Sequence, residues 1–158
     1  MFTQLLMDRG HGEAGVVIDS APPEGIRVNP PSQLRSLVPI FNNPAKRHRA
    51  AGSTPDQFHY AFTNTLSERE ARATYDRYAI AAPGSWVWTY GLIANLTPGR
   101  RETWVDFRDP DRAPLLFIAG GRDHIMPPSV NRSNRRHYKA PGTVTDYALE
   151  WALRHARA

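Results

Sequence analysis

Proline is the feature that most constrains how this chain of 158 residues can fold. Ten of the fourteen prolines lie at positions 22–110, where each removes a backbone donor and interrupts regular structure. Two short apolar runs flank this stretch, at 14–19 and 113–119, and both have the length and composition of strands buried on both faces of a parallel sheet. The sequence therefore predicts a sheet-forming core, residues 1–21 and 111–158, that is interrupted by a Pro-rich helical insertion, residues 22–110.

The sequence on either side of the two apolar runs has patterns typical of helices and strands. These patterns predict a helix over 2–9, a polar helix over 129–137, a third strand over 143–145 and a final helix over 146–158. Phe2, Leu5 and Leu6 have the spacing of the buried stripe of the first helix. Residues 143–149 suit either a strand or the start of a helix. The alternation indicates an α/β fold with two to three parallel strands and flanking helices.

Two helix starts are visible within the insertion. Thr54 precedes a proline, the arrangement of a cap followed by proline in the first helical turn, and predicts a helix that ends near Phe62. Ser67 and Glu70 have the spacing of a capping box and predict a second helix that runs to Tyr78. The insertion is therefore expected to be helical rather than a sheet.

The segment after the second apolar run has the clearest chemical content. Two glycines end the run, Asp123 follows two residues later, and Pro127 comes next in the pattern. A carboxylate that follows the carboxyl end of a strand lies at the rim of a parallel sheet, where such sheets hold their ligands. The alternative is that Asp123 only caps the turn before Pro127, and the spacing alone leaves both interpretations open.

The order of these segments resembles the α/β-hydrolase family. In that family the penultimate strand is followed by G-x-x-D-x-x-x-P, which Gly120 or Gly121, Asp123 and Pro127 match. The strand at 14–19 is similar to the strand that comes after the nucleophile elbow, and the insertion at 22–110 is similar in place and type to the lid. The resemblance implies a partial α/β-hydrolase fold, and it implies that Asp123 is the acid of a Ser-His-Asp triad.

The resemblance carries over only that acid. The nucleophile of the family lies in G-x-S-x-G at a strand-to-helix turn, and no such motif occurs in this sequence. The elbow would directly precede the helix over 2–9, so we expect the chain to begin a few residues downstream of that serine. Residues 143–152 run from strand composition into helix composition without the loop that carries the family's histidine.

Other serines and histidines make poor substitutes for the missing pair. His124 adjoins the acid, and its ring would need a chain reversal to reach a serine held over the sheet. Ser85 has one flanking glycine and no strand before it, and Ser20 is expected in a plain turn. Surface or helix-end roles are expected for the other histidines considered, which are His11, His48, His137 and His155.

The resemblance implies a parent activity, hydrolysis of an ester or similar acyl bond, of which this chain is expected to be an incomplete and inactive version. The alternative is a non-catalytic module that binds an apolar ligand or a protein partner. The expected ligand is a small apolar or acyl compound. Aromatic side chains of the insertion could line its pocket or simply pack onto the sheet; they are Phe41, Phe58, His59, Tyr60, Phe62, Tyr75, Tyr78, Trp86, Trp88, Tyr90 and Trp104.

Composition narrows the remaining classes of function. The lack of cysteine excludes disulfides and thiolate metal sites, and no cofactor is expected. The net charge is +5, but the arginines are scattered and no nucleic-acid-binding motif accompanies them, so no nucleic-acid partner is expected. No apolar stretch of membrane length and no signal peptide are present, which favours a cytoplasmic protein with no membrane partner.

The outer edge of the first strand lacks a predicted neighbour, which makes this edge a candidate for self-association.

Overall fold

The structure of the protein is a computed structural model that describes residues 1–86, 88–89, 99, 102–139 and 144–145. Its helices are α1 (Phe2–Asp8), α2 (Pro31–Phe41), α3 (Pro55–Phe62), α4 (Glu68–Tyr78), α5 (Gly84–Trp86) and α6 (Pro128–His137). A short 3-10 helix spans Pro44–His48. Its strands are β1 (Gly15–Ile18), β2 (Ala50–Ala51), β3 (Ala82–Pro83), β4 (Leu115–Ile118) and β5 (Val144–Thr145).

A three-stranded parallel sheet with the order β1-β4-β5 organises the core. Val17 pairs with Phe117, although a hundred residues separate them along the chain, and Leu115 pairs with Val144. The predicted α/β class with a small parallel sheet is therefore confirmed. The third strand is confirmed at positions 144 and 145, whereas the predicted final helix over 146–158 lies outside the described residues.

The apolar core lies on one face of this sheet, beneath α1 and α6. Met7, Val17, Leu115, Phe117 and Tyr138 form a buried cluster there. Helix α1 contacts β1, helix α6 contacts β4, and Val130 of α6 is fully buried. The fully buried side chains of β1 and β4 therefore lie on one face of the sheet.

Burial along β1 alternates, which corrects the prediction of a strand buried on both faces. Gly15 and Val17 face the core, whereas 53% of Val16 and 65% of Ile18 is exposed. A Cβ at position 15 would lie 2.9 Å from the side chain of Thr3 and 3.0 Å from that of Met7, both on α1. Glycine therefore allows α1 to approach the sheet closely on the one face that is covered.

The buried face of α1 also differs from the predicted stripe. Phe2 and Leu6 are exposed, whereas Gln4, Leu5 and Met7 are buried. Gln4 has no exposed surface because its amide donates to the Ser20 hydroxyl at 2.9 Å and accepts from the Tyr138 hydroxyl at 2.8 Å. These long-range hydrogen bonds, rather than the apolar spacing, fix the rotation of the helix.

The insertion forms both predicted helices, α3 and α4. The capping boxes of Thr54 with Gln57 and of Ser67 with Glu70 are both complete. Helix α2, which begins at Pro31, was not predicted, and neither was the antiparallel ribbon in which Ala50 pairs with Pro83. The expectation of a purely helical insertion is therefore wrong at this ribbon. It joins the beginning and the end of the segment that contains α3 and α4.

Candidate functional site

Asp123 lies in the loop of residues 119–127 that follows β4, here called the rim loop. Its carboxylate oxygen Oδ1 accepts hydrogen bonds from the backbone N–H groups of Ile125 and Met126, each at 2.7 Å. Its own N–H donates to the carbonyl oxygen of Gly120 at 3.3 Å. The turn-capping interpretation thus matches the observed contacts, while the second carboxylate oxygen remains available at the sheet rim.

A second carboxylate, Asp19, lies at the same rim directly after β1. Its Oδ1 accepts a hydrogen bond from the Gly120 N–H at 2.6 Å, and its backbone has a positive φ of 42°. Burial raises the pKa of Asp19, the Gly120 N–H opposes this effect, and the charge of Asp123 raises the pKa further. We did not predict Asp19 as a site residue. The available signal was its position as the first acid after the first strand.

The two carboxylates line a cavity of about 410 Å³ at the carboxyl ends of β1 and β4. Asn64 and Arg122 also line it. Parallel sheets place ligand sites at this end of their strands. The rim therefore combines negative charge with amide and guanidinium groups in one open cavity.

A larger cavity of about 600 Å³ lies within the insertion, between α2, α3, α4 and the β2–β3 ribbon. Its aromatic lining is Phe58, Phe62, Tyr75 and Tyr78. The rings of Phe58 and Tyr75 meet edge to face with centres 5.4 Å apart, and the Tyr75 hydroxyl donates to the Ser53 carbonyl oxygen at 2.9 Å. Part of the aromatic set identified in the sequence thus does surround a pocket, whereas Tyr90 lies outside the described residues.

The two cavities share a wall. Ala61 and Phe62 on α3 and Ile125 on the rim loop line both of them. Ala61 is buried, whereas 61% of Phe62 is exposed. An apolar chamber therefore adjoins a carboxylate-lined rim across these three side chains.

The ring of His124 faces the insertion rather than Asp123. Its Nδ1 lies 2.8 Å from the carbonyl oxygen of Tyr60, and its Nε2 lies 3.3 Å from the amide nitrogen of Asn64. The imidazole packs on the Tyr60 ring with centres 4.4 Å apart. Among the described residues, no imidazole or hydroxyl group hydrogen-bonds to the Asp123 carboxylate, so no triad is assembled there.

The candidate serines are placed apart from the described histidines, although the amino group of Met1 donates to the Ser20 hydroxyl, and burial lowers the pKa of that amino group to about 6. Ser20 is buried, and its hydroxyl donates to the Ala21 carbonyl oxygen at 3.1 Å while accepting from Gln4. Ser85 is exposed in α5, and the two-residue strand β3 does precede it, contrary to expectation. Neither hydroxyl hydrogen-bonds to a histidine ring in the described part of the chain.

The other histidines have varied surroundings. His11 and His48 are exposed as predicted. His137 is half-buried, because Nδ1 lies 2.7 Å from the Ser133 carbonyl oxygen and its ring centre lies 5.4 Å from that of Phe107. This corrects the expectation of a fully solvated position. His155 lies outside the described residues.

The described ranges contain neither a cluster of metal ligands nor a helix of membrane length. No group of three or more histidine, cysteine, aspartate or glutamate side chains there could hold a metal ion. No helix within those ranges has the length and apolarity needed to cross a membrane.

Three comparisons with known proteins were made. A scan against protein-family models, a search of curated proteins and a search of solved structures found no match. The α/β-hydrolase resemblance and the role of Asp123 as a triad acid therefore stay predictions from the sequence.

Proposed function

We propose that the chain binds a small apolar ligand in the 600 Å³ cavity of the insertion, with the polar end of the ligand at the carboxylate rim. The observation that carries this proposal is the shared wall of Ala61, Phe62 and Ile125, which joins an apolar chamber to a polar cavity. Ligand sites typically combine these two features, a mostly apolar volume and a few polar groups that fix orientation.

The chamber has a suitable size and lining. Its volume of about 600 Å³ falls within the range typical of small-molecule pockets. A ligand that buries about 300 Å² of apolar surface gains roughly 7 kcal/mol before the cost of association. The paired rings of Phe58 and Phe62, with centres 4.9 Å apart, offer flat apolar surface for that contact.

The charges at the rim favour a neutral polar end. The carboxylates of Asp19 and Asp123 repel a fatty-acid anion, whereas a neutral ester or alcohol avoids this cost. Arg122 lines the same cavity with the opposite charge, but its exposed side chain is screened by water. The ligand is therefore a neutral apolar or acyl compound.

The proposal includes descent from an α/β-hydrolase whose parent activity is acyl-bond hydrolysis. Support comes from the parallel pairing of β1 with β4, the insertion between them and an acid at the rim. Hydrolysis by this chain is not proposed, because Oδ1 of Asp123 is bonded to backbone amides and the Ser20 hydroxyl donates to a carbonyl oxygen. The function proposed for the chain itself is binding.

Titration with the neutral fluorescent probe N-phenylnaphthylamine tests the binding site. The substitution Ala61→Phe places a ring in the shared wall, and we expect probe affinity to fall by about tenfold or more, which is about 1.4 kcal/mol. Ala73→Phe makes the same change on an exposed part of α4 and serves as the matched control, with affinity unchanged. Circular dichroism of both variants checks that the fold is retained.

Equal probe affinity in the two variants would contradict the proposed site. If Ala61→Phe does not fold, Ala82→Trp provides a second block, because Ala82 lines the chamber from the exposed ribbon. Saturable binding that survives both substitutions would place the ligand elsewhere.

Labelling with a fluorophosphonate tests the absence of hydrolytic chemistry. We expect no covalent label on the folded chain, since no hydrogen bond joins a described serine hydroxyl to a histidine ring. Label that forms and then disappears on Ser20→Ala would show an activated nucleophile at the rim and replace the binding proposal with an enzymatic one.

A further inference from the structure

His124 links the rim loop to α3 through one ring nitrogen and to the turn that follows α3 through the other. The partners are the Tyr60 carbonyl oxygen at 2.8 Å from Nδ1 and the Asn64 amide nitrogen at 3.3 Å from Nε2. On the other side of the backbone, the Ser36 hydroxyl of α2 lies 3.5 Å from the His124 carbonyl oxygen. One residue of the rim loop therefore contacts two helices that enclose the apolar chamber.

The hydrogen-bond partners specify one protonation state. A carbonyl oxygen only accepts, so Nδ1 carries the proton that is donated to Tyr60. The Asn64 amide nitrogen also donates to the Arg122 carbonyl oxygen at 2.9 Å, which fixes the orientation of the amide. Its second N–H is then directed at Nε2, which must accept. The complete set of bonds requires a neutral imidazole.

Protonation of His124 breaks this arrangement. A proton on Nε2 faces the N–H of Asn64, so two donors meet in place of a hydrogen bond. Rotation of the Asn64 amide does not repair the contact, because its oxygen would then face the Arg122 carbonyl oxygen. The charged ring can keep only the bond to Tyr60.

Some charged groups around His124 disfavour the protonated imidazole, and one favours it. Arg35 on α2 lies 3.9 Å from the centre of the Tyr60 ring, so an imidazolium would be the second cation at that ring. Arg122 adds positive charge on the rim loop, whereas the neighbouring Asp123 carboxylate favours the imidazolium. Because Oδ1 of Asp123 is held by two backbone N–H groups, the carboxylate cannot replace the lost Asn64 bond with that atom.

We propose that His124 is a proton-sensitive latch that holds the rim loop against α3 and, when protonated, opens the wall between the two cavities. The wall is affected because Ile125 adjoins the latch on the rim loop, while Ala61 and Phe62 lie between Tyr60 and Asn64. The inference rests on the proposed binding function, for which an opening wall provides ligand entry. Mild acid, in which histidine gains its proton, is the signal.

The absence of native cysteine makes thiol labelling a clean test without ligand. Ala61→Cys places a thiol in the buried shared wall, and Ala73→Cys places one on an exposed part of α4 as the reference. The rate of reaction with dithiodipyridine is measured for each from about pH 7.5 to about pH 5.5, the range in which histidine changes charge. The ratio of the two rates removes the pH dependence of the thiol itself.

We expect this ratio to rise by about tenfold on acidification, which corresponds to about 1.4 kcal/mol. In the His124→Gln background the ratio stays flat, because glutamine donates to Tyr60 and accepts from Asn64 but takes no proton. The Asn64→Asp variant loses the bond to the Arg122 carbonyl oxygen at every pH tested. Its ratio nevertheless falls on acidification, because the carboxylate accepts from the protonated Nε2 and makes the charged form of His124 the bonded one. A merely structural contact would not reverse its pH dependence.

A flat ratio with His124 intact, or an equal rise in His124→Gln, overturns the latch. If Asn64→Asp does not fold, the comparison with His124→Gln decides the matter alone. Because no ligand is present, the outcome is independent of the probe titration. Failed probe binding with a rising ratio would overturn the proposed function and not the opening of the wall.

Discussion

The insertion and the sheet-forming core are stabilised in different ways. In the insertion, helices α3 and α4 each begin at a capping box whose two residues are three positions apart, such as Thr54 and Gln57. In the core, buried polar side chains contact residues far away in the sequence: Arg112 donates to Asp8 at 2.6 Å, and Tyr138 donates to Gln4 at 2.8 Å. The starts of these two insertion helices are therefore specified by local contacts, whereas the buried polar contacts of the core join distant residues.

The difference extends to packing. In the core, Arg112 is buried, and its Nε and Nη1 have no hydrogen-bond partner among the described residues. Burial also raises the pKa of the Tyr138 phenol, although the charge of Arg112 opposes the shift. The insertion instead surrounds an open chamber of about 600 Å³. Tight packing suits the rigid sheet of the core, whereas locally capped helices around a cavity suit a wall that can move.

Breaking the buried ion pair of the core should have the largest effect on stability. Arg112→Met leaves the nearly buried Asp8 carboxylate without its cation, and we expect a loss of about 3 to 5 kcal/mol in the free energy of unfolding. The double substitution with Asp8→Leu should recover most of the loss, since an apolar pair removes the unpaired charge. Urea denaturation followed by circular dichroism measures each value.

The matched control lies in the insertion, where Arg72 pairs with Asp76 at 3.0 Å on the exposed surface of α4. Arg72→Met should cost less than about 0.5 kcal/mol, because water already screens this pair. If Arg72→Met and Arg112→Met proved equally costly, the contrast between the two regions would be wrong.

Removing a helix cap should have an intermediate effect and loosen the wall of the chamber. Thr54→Ala deletes the hydroxyl that accepts from the Gln57 N–H at the start of α3, and we expect a cost of about 1 kcal/mol. Thr74→Ala is the control, because its hydroxyl donates back to the Glu70 carbonyl oxygen within α4 and caps nothing. Thermal unfolding compares the two; an equal loss would mean that the cap does not support α3.

Sequence patterns predicted the parts of the fold whose causes are local. The capping residues Thr54 and Ser67 correctly marked two helix starts, and the apolar runs marked β1 and β4, because a cap or a strand is specified within a few neighbouring residues. The rotation of α1 was not predictable in this way. Gln4 faces the core because of Tyr138, which is 134 residues away in the sequence.

The candidate site shows the same limit. The position of Asp123 at the rim followed from its place after a strand, and its turn-capping contacts were one of the two interpretations that its spacing allowed. The ring of His124 turns instead to Tyr60 and Asn64, which lie 64 and 60 residues earlier. Asp19 was missed because its significance depends on Gly120, which follows a strand paired only in the folded chain.

The smallest expected effect concerns the carboxylate at the border between the two regions. The pKa of Asp19 is raised in the folded state, so ionisation of this carboxyl lowers the stability of the fold. The contribution of the protonated carboxyl to stability is fully present below the unfolded-state pKa of 3.8, and it is lost as the pH rises through the folded-state pKa.

Asp19→Asn keeps an oxygen for the Gly120 N–H and tolerates the positive φ. We expect it to gain about 0.5 kcal/mol at neutral pH, since the carboxylate is only half-buried, and to lose the pH-dependent part of that gain in acid. Urea denaturation at several pH values measures this difference, with Asp111→Asn as an exposed control. If the two variants shared one pH dependence, the rim would not be distinct from the exposed surface, and the balance of charge that excludes an anionic ligand would lose its physical basis.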